Sequence, residues 1–166
     1  MAGSGNPRVQ QLLRTLQQAY ERKSWHGTNL RGSLRGISAE QAAWRPNPAR
    51  HNIWELALHA AYWKYIIVRR LRRGEEMRFP VPGSNWFVRP EEDASERAWK
   101  ADLGILGAMH RDLIAAVGAL SDADLDRAPE GSQTLLGDLI TGGAFHDVYH
   151  AGQIQLLKRL IYEGTP

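Results

Sequence analysis

Apolar residues recur at helical spacing through most of the chain, and the places where the spacing fails mark the helix ends. From Pro7 to about Lys23, residues Val9, Leu12, Leu13, Leu16, Ala19 and Tyr20 follow the period of an amphipathic helix. Pro7 suits a first helical position, where its missing N–H would have no intrahelical partner. Trp25–Asn29 interrupts the period; a short helical stretch runs from about Thr28 to Arg35 and stops at Gly36. Ser38-Ala-Glu-Gln41 reads as a capping box opening a brief helix. Trp44-Arg-Pro-Asn-Pro48 closes it, because proline cannot continue the hydrogen-bond ladder. Asn52 can cap a long helix over 53–73, with Ile53, Leu56, Ala60, Trp63, Ile67 and Leu71 as its apolar stripe and Gly74 as its end. Residues 74–94 are rich in glycine and proline and predict a loop, of a length that is unusual in a compact domain and tends to be functional. Asp93 or Ser95 starts a third long helix, reaching about Leu120. After a link carrying Ser121-Asp-Ala-Asp and Pro129-Glu-Gly131, Thr134 can cap a last helix to about Tyr162.

Four long helices and no credible strand predict an all-α fold, a four-helix bundle. The 74–94 loop is long enough to return the chain along the bundle, so the helices on either side of it can run parallel. The 166 residues fit one domain spanning 1–166, with 1–6 expected to be flexible. No apolar run approaches the ~20 residues that cross a bilayer, and Ile66-Ile-Val68 runs at once into Arg69, Arg70, Arg72 and Arg73. The N-terminus lacks the charged and apolar regions of a signal peptide, so a cytoplasmic protein without membrane association is expected. The chain has no cysteine, which excludes disulfides, thiolate ligands and a cysteine nucleophile. Net charge is +3, too small an excess to argue for nucleic acid. The one dense arginine cluster sits where cations complement a helix C-terminus.

Histidines change the picture. His146 and His150 lie four apart in the last helix, and therefore on one face, one turn apart. Leu135, Leu139, Gln153 and Leu157 share roughly that face, which reads as a core stripe interrupted by two imidazoles. His59 lies beside Ala60 in the apolar stripe of the 53–73 helix. Burying three unpaired imidazoles is costly, whereas three neutral nitrogens can hold one divalent metal and leave coordination positions open. His59, His146 and His150 are thus the candidate metal ligands. A zincin reading of His146-Asp-Val-Tyr-His150 fails, because the further histidine it needs is Leu156 here. A ferritin-like site fails because the chain has no Glu-x-x-His pair. Gln153 is the first choice to orient an imidazole. Glu55 and Asp147 are weak candidates for a catalytic base. Parallel central helices would bring Trp44, His51 and Trp86 to the mouth of the site, as candidate cofactor-binding residues. Arg45, Arg50 or Arg89 could hold a carboxylate there. His26 and His51 are expected at the surface, and His110 as a structural or exposed residue. Gly142-Gly143, one turn before His146, predicts close helix packing.

Three segments resemble the DinB-like (DinB/YfiT) family: Trp44-Arg-Pro46, the run from His51 to Trp63, and Phe145-His-Asp-Val-Tyr-His-Ala-Gly-Gln-Ile154. The resemblance implies an up-down-down-up bundle. It also implies a divalent metal, nickel or zinc, on His59, His146 and His150, and a homodimer. Characterised relatives include transferases and isomerases that use bacillithiol, mycothiol or glutathione, and others are described as metal-dependent hydrolases. A small-molecule substrate with a low-molecular-weight thiol, a hydrolase, and a non-catalytic metal-binding stress-response protein all follow as expectations.

Overall fold

The computed structural model describes residues 6–72, 75–89 and 93–163. Its helices are α1 (Pro7–Tyr20), α2 (Leu30–Ser33), α3 (Ala39–Ala43), α4 (Ile53–Leu71), α5 (Glu96–Gly118) and α6 (Leu136–Glu163), with a 3-10 turn at Asp122–Asp126. Among the described residues there is no strand, only a single bridge between Ser24 and Gly27. The architecture is a helical bundle. The expected flexibility of the first residues falls mostly on 1–5, which lie outside the described residues, as does Gly74.

Local signals set most helix starts. Ser38 and Asn52 each accept a hydrogen bond from the N3 backbone, and Gln41 and Glu55 reach back to the cap, completing two capping boxes. Ser95 caps α5 through the Ala98 N–H. Each such cap stabilises by about 1 kcal/mol. The start of α1 is capped differently: Asn6 makes no side-chain cap. Instead the Asp122 carboxylate, from the turn after α5, accepts from the Arg8 and Val9 N–H groups at 3.1 and 2.9 Å. α6 starts at Leu136, one residue later than a Thr134 cap would place it.

α4 is the central element, with thirteen of its nineteen residues buried, Glu55, His59 and Lys64 among them. Near its start Trp54 packs on Trp99 of α5, ring centroids 5.1 Å apart, and donates to Asp102 at 2.7 Å. Near its end Ile67 and Val68 cluster with Leu113 and Val117 of α5. Contacts that advance together along both helices make α4 and α5 parallel. Against α6 the order reverses: His59 meets His150 and His146, Lys64 pairs with Asp147, and Ile67 lies against Gly143. These two helices are antiparallel. A Cβ on Gly143 would stand 2.7 Å from Ile67 Cδ1, so close packing explains this glycine, while Gly142 has open space.

The link between α4 and α5 is pinned by aromatics. Phe87 is buried, and Phe79 and Trp86 pack against the same core as Tyr62. The core stripe of α6 is Leu136, Ile140, Ala144, Asp147, Ala151 and Ile154, at 3-4 spacing. His150 and Leu157 are buried beside it as expected, but Leu135 is exposed and His146 only half-buried, so the stripe is rotated from the expected one and His146 sits at its edge.

Candidate metal centre

Three helical turns converge on one point. The His146 Nε2 atom lies 3.1 Å from His59 Nε2 and 3.0 Å from His150 Nε2. Two of the rings are oriented by a particular neighbour. His59 Nδ1 is 2.8 Å from the Asn85 carbonyl oxygen, and His150 Nδ1 is 2.5 Å from Gln153 Oε1. A carbonyl oxygen can only accept, so both Nδ1 atoms carry the proton and both Nε2 atoms present lone pairs. His146 Nε2 has at most one proton to offer, so at most one of the two short contacts can be an ordinary two-centre hydrogen bond. Lone pairs brought together in this way would be relieved by a cation between them. Imidazole nitrogens about 2.1 Å from a tetrahedral ion stand roughly 3.4 Å apart, close to the spacing here. The donor set fits: one ligand atom from each histidine lies within 4.8 Å of the others, so the group could hold a metal ion.

Electrostatics point the same way. Burial pushes the His59 pKa down to about 4 and that of His146 to about 3, and neighbouring imidazoles add to the effect. His150 is also lowered, again chiefly by burial. All three rings are therefore neutral near pH 7, the form that ligates metals.

The loop before α5 supplies one wall. Asn85 has φ +64°, the left-handed region that asparagine tolerates better than most residues. That conformation aims its carbonyl at His59, while its side-chain oxygen accepts from Trp63 Nε1 at 3.0 Å. Trp86 follows, its ring parallel to His59 at 3.9 Å and to His51 at 3.5 Å. Two imidazoles that close to one indole must lie on opposite faces, so Trp86 is the filling of a stack. His51 Nδ1 donates to Glu55 at 2.8 Å.

A DinB superfamily profile matches residues 22–154, most of the chain and all of this site. The chain belongs to the DinB superfamily. No curated protein and no solved structure matches it.

Within this DinB chain the remaining sequence candidates divide. Trp86 stacks on His59, and His51 meets the histidines only through Trp86, from its other face. No hydrogen bond or ring contact among the described residues joins Trp44 to them; it caps the end of α3 and is partly exposed. The Glu55 carboxylate is fully engaged by Arg45, His51 and the Asn52 N–H. Burial would raise its pKa, but the bonds from Arg45 and His51 outweigh burial and hold it below the usual range. Asp147 turns to the buried Lys64 rather than to the site, and burial raises its pKa. Arg45 is committed to Glu55, and Arg89 clamps Asp102 with bonds of 2.8 and 2.6 Å. Neither arginine is available to a ligand as expected. His110 is fully buried, stacked on Tyr20. Sequence reasoning did not find the role of the Asn85 carbonyl, because a backbone contact across 26 residues leaves no side-chain signature.

Proposed function

We propose that this protein carries a divalent metal on His59, His146 and His150 and uses it in group transfer from a diffusible low-molecular-weight thiol. The convergence of three Nε2 atoms, two of them with their protons fixed on Nδ1, supports the reading. Nickel or zinc suits a set of neutral imidazoles. Such an ion would act as a Lewis acid, favouring the ionised form of a thiol or water that approaches it. The protein's own residues do the rest. Asn85 and Gln153 hold two imidazoles in orientation. Trp86 and the partly exposed Trp63 offer flat apolar walls to a substrate. His51, with Nδ1 on Glu55, presents Nε2 as a proton acceptor at the rim. Glu55 and Asp147 are both spoken for, which leaves His51 for that role and favours a nucleophile that ionises readily. A thiol ionises near pH 8.5, far more readily than water. With no cysteine in the chain, that thiol comes from solution.

A homodimer fits the outer face of α6. Phe145, Tyr149 and Leu156 are well over half exposed, and Leu160 continues the same stripe. Gly142, one turn before Phe145, and Gly152 lie on the same stripe and would let a second helix approach closely. Tyr149 also touches His150, which links this face to the centre.

Elemental analysis of wild type beside a His146→Ala/His150→Ala variant tests the ligands, with about one divalent ion per chain expected and its loss in the variant. The loaded protein is then given an electrophile with bacillithiol, mycothiol or glutathione in turn. Metal-dependent conjugation supports the transferase. Ester cleavage without conjugation would favour a hydrolase, and metal with neither activity a binding protein. Wild type that takes up no nickel or zinc would end the reading. His51→Phe preserves the stack on Trp86, and it should cut the conjugation rate about 10²- to 10⁴-fold at unchanged metal content.

A further inference from the structure

A second concavity shares no residue with the histidine centre. It is a groove of about 1290 Å³ between the end of α1, the 27–37 segment and α5. Glycines make it deep. A Cβ on Gly104 would meet nothing within 4 Å. One on Gly107 would lie 3.5 Å from Arg111 Nη1 and 3.7 Å from Tyr20 Oη. Two hydrogen-bond donors thus come together over bare helix backbone. A glycine inside a helix costs about 1 kcal/mol relative to alanine. Neither of these has a positive φ, and at Gly104 no neighbour demands the space. What the two glycines provide is the cleft.

The charge balance is one-sided. Arg31, Arg35, Lys100 and Arg111 line the groove, against Glu21 and Glu96. Both carboxylates are engaged: Glu21 pairs with Arg31 at 2.9 Å, and Glu96 accepts the Ala39 N–H at 2.6 Å. Arg35, Lys100 and Arg111 form no ion pair among the described residues. The Tyr20 hydroxyl, its pKa pushed up to about 12 by burial, stays a donor across the neutral range. The half-buried Leu103, with the edges of Leu34 and Ile37, supplies apolar surface beside these donors. The volume is that of a small-molecule pocket, or slightly more.

We propose that this groove binds a small organic anion: a carboxylate or phosphate head received by Arg111 and Tyr20, carried on an apolar body that lies over Gly104. Lys100 and Arg35 draw the anion in from the rim. The site is independent of the metal centre and of the activity proposed for it.

The test uses the full chain and the fluorescent dye anilinonaphthalene sulfonate, an anion on an aromatic body. Saturable binding that weakens with added salt is expected. Arg111→Gln should lower affinity about tenfold or more, the size of one charge-assisted hydrogen bond. Gly104→Phe, which fills the groove from an exposed helical position, should do the same. The His146→Ala/His150→Ala variant should bind the dye like wild type. Displacement by pyrophosphate but not citrate assigns a phosphate head, and the reverse a carboxylate head. The proposal is overturned if neither anion displaces the dye, if both groove variants bind it unchanged, or if the histidine variant loses it.

Discussion

At the scale of single residues, the centre depends on atoms that never touch the proposed ion. His59 and His150 each spend Nδ1 on a carbonyl oxygen, one from the backbone of Asn85 and one from the Gln153 side chain. Those bonds choose the tautomer and fix the ring plane, so the ligand sets need not be reorganised when a metal binds. Gln153→Leu removes the acceptor while keeping the volume. It should weaken metal affinity about 10- to 100-fold, read by competition with a chromophoric chelator. Gln153→Glu, which still accepts, should stay near wild type. Equal affinity in all three proteins would mean that the bond to Gln153 orients nothing. The choice of Gln153 was open to sequence reasoning because a residue three positions on lies one turn away on the same helix. The Asn85 carbonyl was not, since only the folded loop brings it to α4.

At the scale of elements, the two mid-helix glycines Gly104 and Gly143 make opposite predictions. Gly104 faces open space, so Gly104→Ala should add about 0.5–1 kcal/mol by restricting the unfolded chain. At Gly143 a methyl would press on Ile67, which is buried, and the overpacking cost of about 1–3 kcal/mol should cancel or exceed that gain. Urea melts of the two variants, with m held constant, measure the difference; stabilisation by both would show that Ile67 swings aside freely. The same elements show where periodicity misleads. Caps were legible because Ser38, Asn52 and Ser95 act on backbone within three residues. The face of α6 was legible only in part: His150 and Leu157 are buried as expected, but centring the face on His146 turned it away from Leu136, Ile140 and Ala144 and toward Leu135. His146 stands at the rim of the packed face, while His150 is buried within it. Pairings such as Lys64 with Asp147, 83 residues apart, and Trp54 with Asp102, 48 apart, depend on helix order and leave no local trace.

At the scale of the whole molecule, buried imidazoles tie stability to pH, and His110 isolates the effect from the metal centre. It is 2% exposed, stacks on Tyr20 at 3.9 Å, and has no hydrogen-bond partner on either ring nitrogen. Burial, aided by Lys64 and Arg111, pushes its pKa down to about 3, against an ordinary value of 6.5. Between those two values the unfolded chain takes up a proton that the folded chain refuses. The stabilisation is therefore complete above about pH 6.5 and is lost as the pH falls toward 3. One such group contributes a slope of up to about 1.4 kcal/mol per pH unit. His59 and His146 act with the same sign when metal-free, while the raised pKa of Asp147 acts against them in the carboxylate range. His110→Phe preserves the stack on Tyr20 and removes two unpaired nitrogens, so it should be neutral or stabilising at pH 7. Its decisive signature is the acid limb. Plotted from urea melts between pH 4 and 6, the variant's unfolding free energy should fall less steeply than that of wild type, by up to one proton's worth of slope. Parallel curves would mean that His110 is protonated in the folded state, its charge met by a partner that this packing does not supply.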